Sequence, residues 1–291
     1  KLTRPIALLQ KATFKIAGGV YDEQIHIPGK DEFHDLAENF NQMASSIQEK
    51  ITELDKNTQE KQRLIDNLAH ELRTPLTAIR GYGEYLQNAN TGEENRIKAA
   101  GYIISEADRM KNLSFKLLDL TLIKNSKPDL QPVNISDLFH QVATALESKL
   151  QEKDIRLETH AALPYLTGDE ILLQSLMINL TDNAIKASSH HSKIRLSAYN
   201  GPYPTLEVQD EGCGMETEQT ALVCEPFYRV DKARARSSGG IGLGLSLCRE
   251  IARLHGAQLH IISTPAKGTT VQVVFTTSLQ PCENSIMSED V

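Results

Sequence analysis

Apolar positions recur in more than one rhythm along this 291-residue chain, and each rhythm predicts a different kind of element. Between residues 1 and 50, Ile6, Leu9, Thr13 and Ile16 mark one segment, and Leu36, Phe40, Met43 and Ile47 mark a second. Spacings of three and four make each a coiled-coil seam. Ala17-Gly18-Gly19 opens the break between them, and Asp31-Glu32-Phe33 starts the second segment. From Asn57 to Asn88 the residues Ile65, Leu68, Leu72, Pro75, Ile79, Tyr82 and Leu86 alternate spacings of three and four, so they fill the a and d positions of a heptad. A second helix from Glu94 to Lys124 carries Ile97, Ala100, Ile104, Ala107, Met110, Leu113, Leu117 and Leu120, joined to the first by the turn Asn88-Ala89-Asn90-Thr91-Gly92. One such hairpin buries too little to stand alone, which predicts two hairpins paired in a four-helix homodimer.

After the linker Asn125-Ser126-Lys127-Pro128 the pattern changes to mixed α/β. Helices are predicted over Ser136–Gln151, Asp169–Ser188 and Leu243–His255. Strands are predicted over Ile155–His160, Lys193–Tyr199, Thr205–Asp210, Gln258–Ser263 and Thr269–Thr276. Strands follow one another late in the chain, so the class is α+β, not alternating βαβ. Residues 278–291, rich in Ser, Glu and Asn, read as a disordered tail.

Composition narrows the function. With 31 basic against 38 acidic residues the net charge is −7, and only 5% of residues are aromatic with no Trp, which argues against direct binding of nucleic acid. The four cysteines, at 213, 224, 248 and 282, form no C-x-x-C unit and read as reduced thiols. No run approaches the roughly 20 apolar residues of a membrane-spanning helix.

The chemistry-bearing residues fall into four blocks. His70 lies at an f position, facing away from the seam, with Thr74 one turn along and Glu71 placed to hydrogen-bond a ring nitrogen and raise the basicity of the other. Pro75 cannot donate to the carbonyl of Glu71, which loosens the helix beside that pair. Downstream, Asn179, Asp182, Asn183 and Lys186 share a polar helix face. Amide oxygens there suit Mg²⁺, and the lysine suits phosphate oxygens. Asp210 ends a strand and precedes Gly212 and Gly214: a carboxylate that can accept from an exocyclic amine, with glycines that let a flat ring approach. Gly240, Gly242 and Gly244 run into a helix, an arrangement of free amides that cradles anions. Before them Glu225–Ser238 passes from aromatic to basic to small residues, as in a mobile lid.

In this order and at these distances the blocks resemble a sensor histidine kinase of two-component signalling, over roughly residues 1 to 277. The resemblance implies a HAMP-like signal relay (1–50) and a dimerisation and histidine-phosphotransfer hairpin (51–127). It further implies a catalytic α+β sandwich of the histidine kinase, gyrase and chaperone type (132–277). Pro5 and Asp31-Glu32 match the HAMP pattern, with His34 where that family often has glycine. By the same resemblance His70 is the phosphoacceptor, Glu71 its acid–base neighbour and Thr74 the position associated with dephosphorylating the partner. Asn183 is the magnesium ligand, Asn179 its companion and Lys186 a phosphate contact. Asp210 binds adenine, and Gly212, Gly214, Gly240, Gly242 and Gly244 form the nucleotide loops. Phe227 and Arg229 belong to the lid, Arg229 reaching the γ-phosphate. ATP and Mg²⁺ are the implied cofactors. A response-regulator receiver domain and a second copy of the chain are the implied partners, and the implied location is the cytoplasmic side of the cell membrane, anchored by a helix before Lys1.

Two positions separate this chain from its neighbours in that resemblance. Ala187 stands where the family usually has an aromatic residue, which implies looser packing of the nucleotide on that side. ATPases of the same fold carry a glutamate one turn before the magnesium asparagine, where it activates water. Here that position is Asn179, and an amide is no base at neutral pH, which favours a kinase over a hydrolase. A catalytically degenerate scaffold would have lost one of His70, Asn183, Asp210 or the glycine loop, and all are present.

Overall fold

The structure, a computed structural model, describes residues 3–21, 24–28, 31–88, 92–230 and 242–276. The chain divides into two compact units, Lys1–His70 and Glu71–Val291.

In the first unit, helix α1 (Thr3–Ala17) ends at Gly18-Gly19, and helix α2 (Glu32–Asn88) opens with Glu32 and Asp35 in its first turn, where carboxylates favour the helix dipole. Ala12, Ile25, Ile27 and Ala37 are buried together, with Leu9, Phe33 and Phe40 packed against them. The extended segment containing Ile25 and Ile27 is fastened by polar groups as well. Asn41 accepts from the Ile25 N–H at 2.8 Å and donates to its carbonyl at 2.9 Å, as a neighbouring strand would. His34 Nδ1 lies 2.9 Å from the Ile27 carbonyl and Nε2 3.5 Å from Glu38. Bonding to that carbonyl, helped by Glu38, Asp35 and Asp31, raises the His34 pKa.

Helix α2 is a single element, so the second segment of the 1–50 region and the heptad beginning near Asn57 are one helix that runs through Pro75. In the second unit its inward positions are those expected: Pro75 is buried and Leu72, Ile79, Tyr82 and Leu86 are half-buried. Helix α3 (Glu93–Asn125) departs from expectation in its first half. Ile97 and Ile104, expected in the seam, are 67% and 63% exposed, whereas Ala99 is buried and Ile103 half-buried. Tyr102 stacks on Tyr82 with ring centroids 4.8 Å apart. From Met110 to Leu120 the expected positions do face inward. The helix carries two apolar stripes, and spacing alone could not say which one faces α2. The second stripe, which includes Phe115, Leu118 and Leu122, stays exposed.

The α+β part contains strand β1 (Gln131–Asn134), helix α4 (Ile135–Glu152), strands β2 (Arg156–Ala161) and β3 (Tyr165–Gly168), helix α5 (Glu170–Ala187), strands β4 (Lys193–Asn200) and β5 (Pro204–Asp210), the short turn α6 (Thr217–Thr220), helix α7 (Gly244–Leu254) and strands β6 (Ala257–Thr264) and β7 (Gly268–Phe275). Five strands form one sheet in the order β2-β4-β5-β7-β6, with β2 parallel to β4 and the other pairs antiparallel. Alternation decides which face is buried: Ile194, Leu196 and Ala198 of β4, Leu206 and Val208 of β5, and Val273 and Phe275 of β7 all point into the core. There they meet Phe139 and Val142 of α4, Leu173, Leu176 and Met177 of α5, and Leu247 and Ile251 of α7. Leu120 and Ile123 of α3 join the same core, so the hairpin's second helix is packed into this unit.

Sequence reading missed β1 and β3, a two-stranded antiparallel sheet whose strands are four residues each, too short to show a period. They set the starts of two helices. Asn134 caps α4 by accepting from Ser136 and Asp137, and Asp169 caps α5 by accepting from Leu172. The Asp169 N–H in turn donates to Nε2 of His255, a fully buried residue whose Nδ1 bonds to the Ile251 carbonyl. Burial lowers the His255 pKa, which keeps this strut between α5 and α7 neutral.

Candidate functional site

Asn179 and Asn183 stand one turn apart on α5, a helix held by buried Leu173, Leu176, Met177, Leu180 and Ala184. Opposite them lies Gly244, the first residue of α7. A Cβ there would come 3.4 Å from Asn179 Oδ1 and 3.5 Å from Asn183 Nδ2, which is van der Waals contact, so the helix start lies directly against both amides. Asn179 Nδ2 donates to the Ser175 carbonyl at 2.8 Å, and its Oδ1 faces Gly244. An N-terminal helix turn opposite amide oxygens offers N–H donors for an anion and hard oxygen ligands for its cation.

The loop before α7 is tied to the lid motif. Gly242 takes a φ of +78°, its carbonyl accepts from the Phe227 N–H at 2.8 Å, and a side chain there would strike the backbone of Phe227 and Tyr228. Phe227 itself has a φ of +67°, in the left-handed region that a bulky residue enters only when its surroundings hold it there. Gly240 and the basic part of the lid segment, 231–238, lie outside the described residues.

At the other end of α5, Asp210 is buried where β5 stops. Its Oδ1 accepts from Gly212 at 2.8 Å and from Thr269 at 3.2 Å, and Oδ2 accepts from no protein group among the described residues. Burial raises the Asp210 pKa, partly offset by those two N–H donors. Gly212 packs against the Ala187 carbonyl, which also accepts from Cys213, and Gly214 lies under the Thr264 carbonyl. Ala187 therefore contributes its backbone to the Asp210 turn. The amide pair and this turn are separated by the stretch of α5 from Asn179 to Ala187, about 12 Å at 1.5 Å per residue.

Lys186 makes an ion pair within its own helix. Its ammonium pairs with Asp182 Oδ2, while Lys149 of α4 takes Asp182 Oδ1. Burial alone would raise the Asp182 pKa, but the hydrogen bonds from Lys149 and Lys186 outweigh it and hold the carboxyl low. Lys116 of α3 lies close enough that burial and the neighbouring Lys186 lower its own pKa. The polar face of α5 thus meets two neighbours: Asn179 and Asn183 stand against Gly244, and Asp182 meets Lys149 of α4. Residues 182 and 183 are separated by 100° of helix turn, which is enough to split them.

On α2, His70 and Thr74 are exposed, as the f position and its neighbouring turn require. Glu71 is half-buried and its Oε2 accepts from Arg109 of α3 at 3.0 Å. Arg229, in the first part of the lid motif and 8% exposed, brings Nη1 to 3.9 Å from the same oxygen. Arg109 and Lys149 escaped the sequence reading because they belong to no motif. Their partners lie 38 and 33 residues away, and helix periodicity says nothing about such pairs.

A phosphoacceptor-type helical hairpin followed by an α+β sandwich with an amide-lined helix start defines a class of nucleotide-dependent signalling protein, and comparison with known proteins makes it specific. Residues 1–49 match the HAMP domain, 60–126 the His Kinase A (phospho-acceptor) domain, and 168–279 the histidine kinase-, DNA gyrase B-, and HSP90-like ATPase family. Sensor histidine kinase YkoH of Bacillus subtilis is 35% identical over 250 residues, which is 84% of this chain and 52% of YkoH. Among solved structures, histidine kinase ThkA in complex with response regulator protein TrrA shares the fold, with a TM-score of 0.61, 20% identity, and coverage of 77% of this chain and 66% of that one. Full-length ShkA in complex with AMPPNP aligns with a TM-score of 0.52 and 25% identity, over 76% of this chain and 47% of ShkA. The chain belongs to the sensor histidine kinases, of which it carries the HAMP, phosphoacceptor and ATP-binding regions. It spans about half the length of YkoH. Among the described residues, no helix is long and apolar enough to cross a membrane.

Proposed function

We propose that the chain is an ATP-dependent protein-histidine kinase that phosphorylates itself on His70 and passes the phosphoryl group to an aspartate of a response-regulator receiver domain. The observation that carries this reading is the amide pair facing Gly244: the residue one turn before Asn183 is Asn179, anchored to the Ser175 carbonyl, and it cannot deprotonate water. Bound ATP is then protected from hydrolysis and available to a histidine.

In this mechanism the Asp210 Oδ2 accepts from the adenine amine, while the first turn of α7 and Arg229 bind phosphate oxygens. Lys186 reaches a phosphate only by leaving Asp182. The Asn183 amide oxygen would hold Mg²⁺, which would supply neutralisation of the phosphate charge, and the chemistry of that donor fits a hard cation. The unprotonated nitrogen of His70 attacks the γ-phosphorus, the bond from that phosphorus to the β–γ bridging oxygen breaks, ADP departs, and the proton of the other ring nitrogen passes to Glu71. Thr74, one turn from His70, positions water to hydrolyse the phosphorylated partner.

The ThkA–TrrA complex supports a receiver domain as partner, and the exposed stripe of Phe115, Leu118 and Leu122 supports a second copy of the chain as the other. The HAMP match supports attachment to a membrane protein with these regions on the cytoplasmic side. Incubation with γ-labelled ATP tests the main proposal: acid-labile label on the wild type, absent from His70→Gln, is expected, and label retained by that variant would refute it. Replacing Thr74 with Ala should slow dephosphorylation of the partner and leave self-labelling intact. An unchanged dephosphorylation rate would remove Thr74 from the mechanism.

A further inference from the structure

Four charged side chains from three segments converge beside the phosphoacceptor position. Arg109 of α3 lies between two carboxylates, Glu71 of α2 at 3.0 Å and Glu106, one turn before it on α3, at 3.8 Å. Arg229 stands 3.9 Å from the same Glu71 oxygen that Arg109 holds. All four are largely withdrawn from solvent, from 8% exposure at Arg229 to 27% at Glu106. The Glu106 oxygen nearest Arg109 is buried and accepts no hydrogen bond from the described residues. It braces the guanidinium by charge alone.

The two arginines differ in what carries them. Arg109 sits in the middle of a 33-residue helix whose next turns are fixed by buried Leu113 and Leu120. Arg229 belongs to the irregular segment after Phe227, inside the lid motif. If Arg229 is drawn to a nucleotide phosphate, Glu71 loses one of its two cations. A half-buried carboxylate left without any would swing toward solvent, away from the histidine next to it.

We infer that Arg109 is a positioning residue for phosphoryl transfer: it holds the Glu71 carboxylate in place while Arg229 exchanges between Glu71 and the phosphates of the nucleotide. The inference rests on the proposed roles of Glu71 and Arg229, and it adds a residue on α3 that touches neither nucleotide nor histidine. An ion pair of only structural value would leave the chemical rate nearly untouched.

The experiment uses the full chain as wild type, Arg109→Ala, Arg109→Lys, Glu71→Gln and the double variant Glu71→Gln/Arg109→Ala. Initial self-labelling rates at saturating γ-labelled ATP are read beside the affinity for a fluorescent ATP analogue and a thermal melt. Arg109→Ala should cut the saturated rate by about 10- to 100-fold with nucleotide affinity nearly unchanged, and Arg109→Lys should restore part of it. Because Arg109 acts through Glu71, its loss should change the rate less than about twofold once Glu71 is Gln. A normal rate in Arg109→Ala, an equal loss in both backgrounds, or a loss confined to ATP affinity would each overturn the inference. If Arg109→Ala fails to fold, the same comparison is made with Arg109→Lys, alone and with Glu71→Gln, and an equal loss in both backgrounds overturns it. Wild-type protein that takes up no label on His70 would refute the proposed kinase itself, whereas a labelled wild type with an unaffected Arg109→Ala refutes only this inference.

Discussion

The relay unit and the α+β domain solve the problem of holding an extended segment in opposite ways. In the domain, strands are paired on a sheet and covered by α4, α5 and α7, and residues such as Leu176, Ile194, Leu206 and Ile251 are wholly buried. In the relay, the segment around Ile25 and Ile27 has no strand beside it among the described residues. Asn41 imitates one with its amide and His34 grips the next carbonyl, above a core of four small or medium side chains. Ile6, Leu8, Phe14, Leu36 and Met43 remain exposed around it. A core built from one chain is complete in the domain, whereas the relay leaves apolar side chains exposed.

The largest effect that would test this contrast is a cavity in the domain. Leu176→Ala should cost about 2–5 kcal/mol, seen as a lower melting temperature of the nucleotide-binding transition. A loss below about 1 kcal/mol would mean the domain core is no better packed than the relay. Next, Asn41→Ala removes both bonds to Ile25 and should cost about 1–2 kcal/mol in the relay, read as faster amide exchange at Ile25, with ATP-analogue affinity unaffected. The third prediction concerns Asp210. Its raised pKa means that its carboxylate is neutralised at a higher pH than an ordinary aspartate, so affinity for an ATP analogue should fall on acidification, beginning above the usual carboxylate range. Asp210→Asn should flatten that dependence.

The smallest effect has opposite signs in the two regions. His255 has a lowered pKa in the fold, so its contribution is intact above the unfolded value of about 6.5 and is lost as pH falls below it toward the lowered value. His34 has a raised pKa, so its contribution is full below about 6.5 and is lost as pH rises through the raised value. Acidification from pH 8 to pH 5 should thus loosen the domain at the α5–α7 strut and tighten the relay at the Ile27 carbonyl. Amide exchange followed by mass spectrometry across that range resolves the two. Changes of the same sign, or a relay response that survives His34→Gln, would break the comparison.

Much of the architecture was legible before any coordinates. The helices over residues 136–151, 169–188 and 243–255 and the five strands of the main sheet were marked by period and turn residues, and the structure moves their ends by one residue at most in nearly every case. These segments have one apolar face each, so local pattern and tertiary role agree. The first half of α3 was misread because it has two apolar stripes, and β1 and β3 were missed because four residues show no period. At the site, glycines and asparagines were readable as types suited to close approach and hard ligation.

What the sequence determined by itself is the inventory: a histidine in a heptad's outer position, an amide in place of a catalytic carboxylate, a carboxylate at a strand end and glycines before a helix. Each follows from chemistry local to a few residues. Only the tertiary structure decided the pairings. It set Asn179 and Asn183 against Gly244, brought Lys149 onto Asp182, and gave Glu71 to Arg109 and Arg229. Those choices depend on which elements pack side by side, and a side chain's partner across 30 residues or more is fixed by the fold of the backbone, not by the spacing along it.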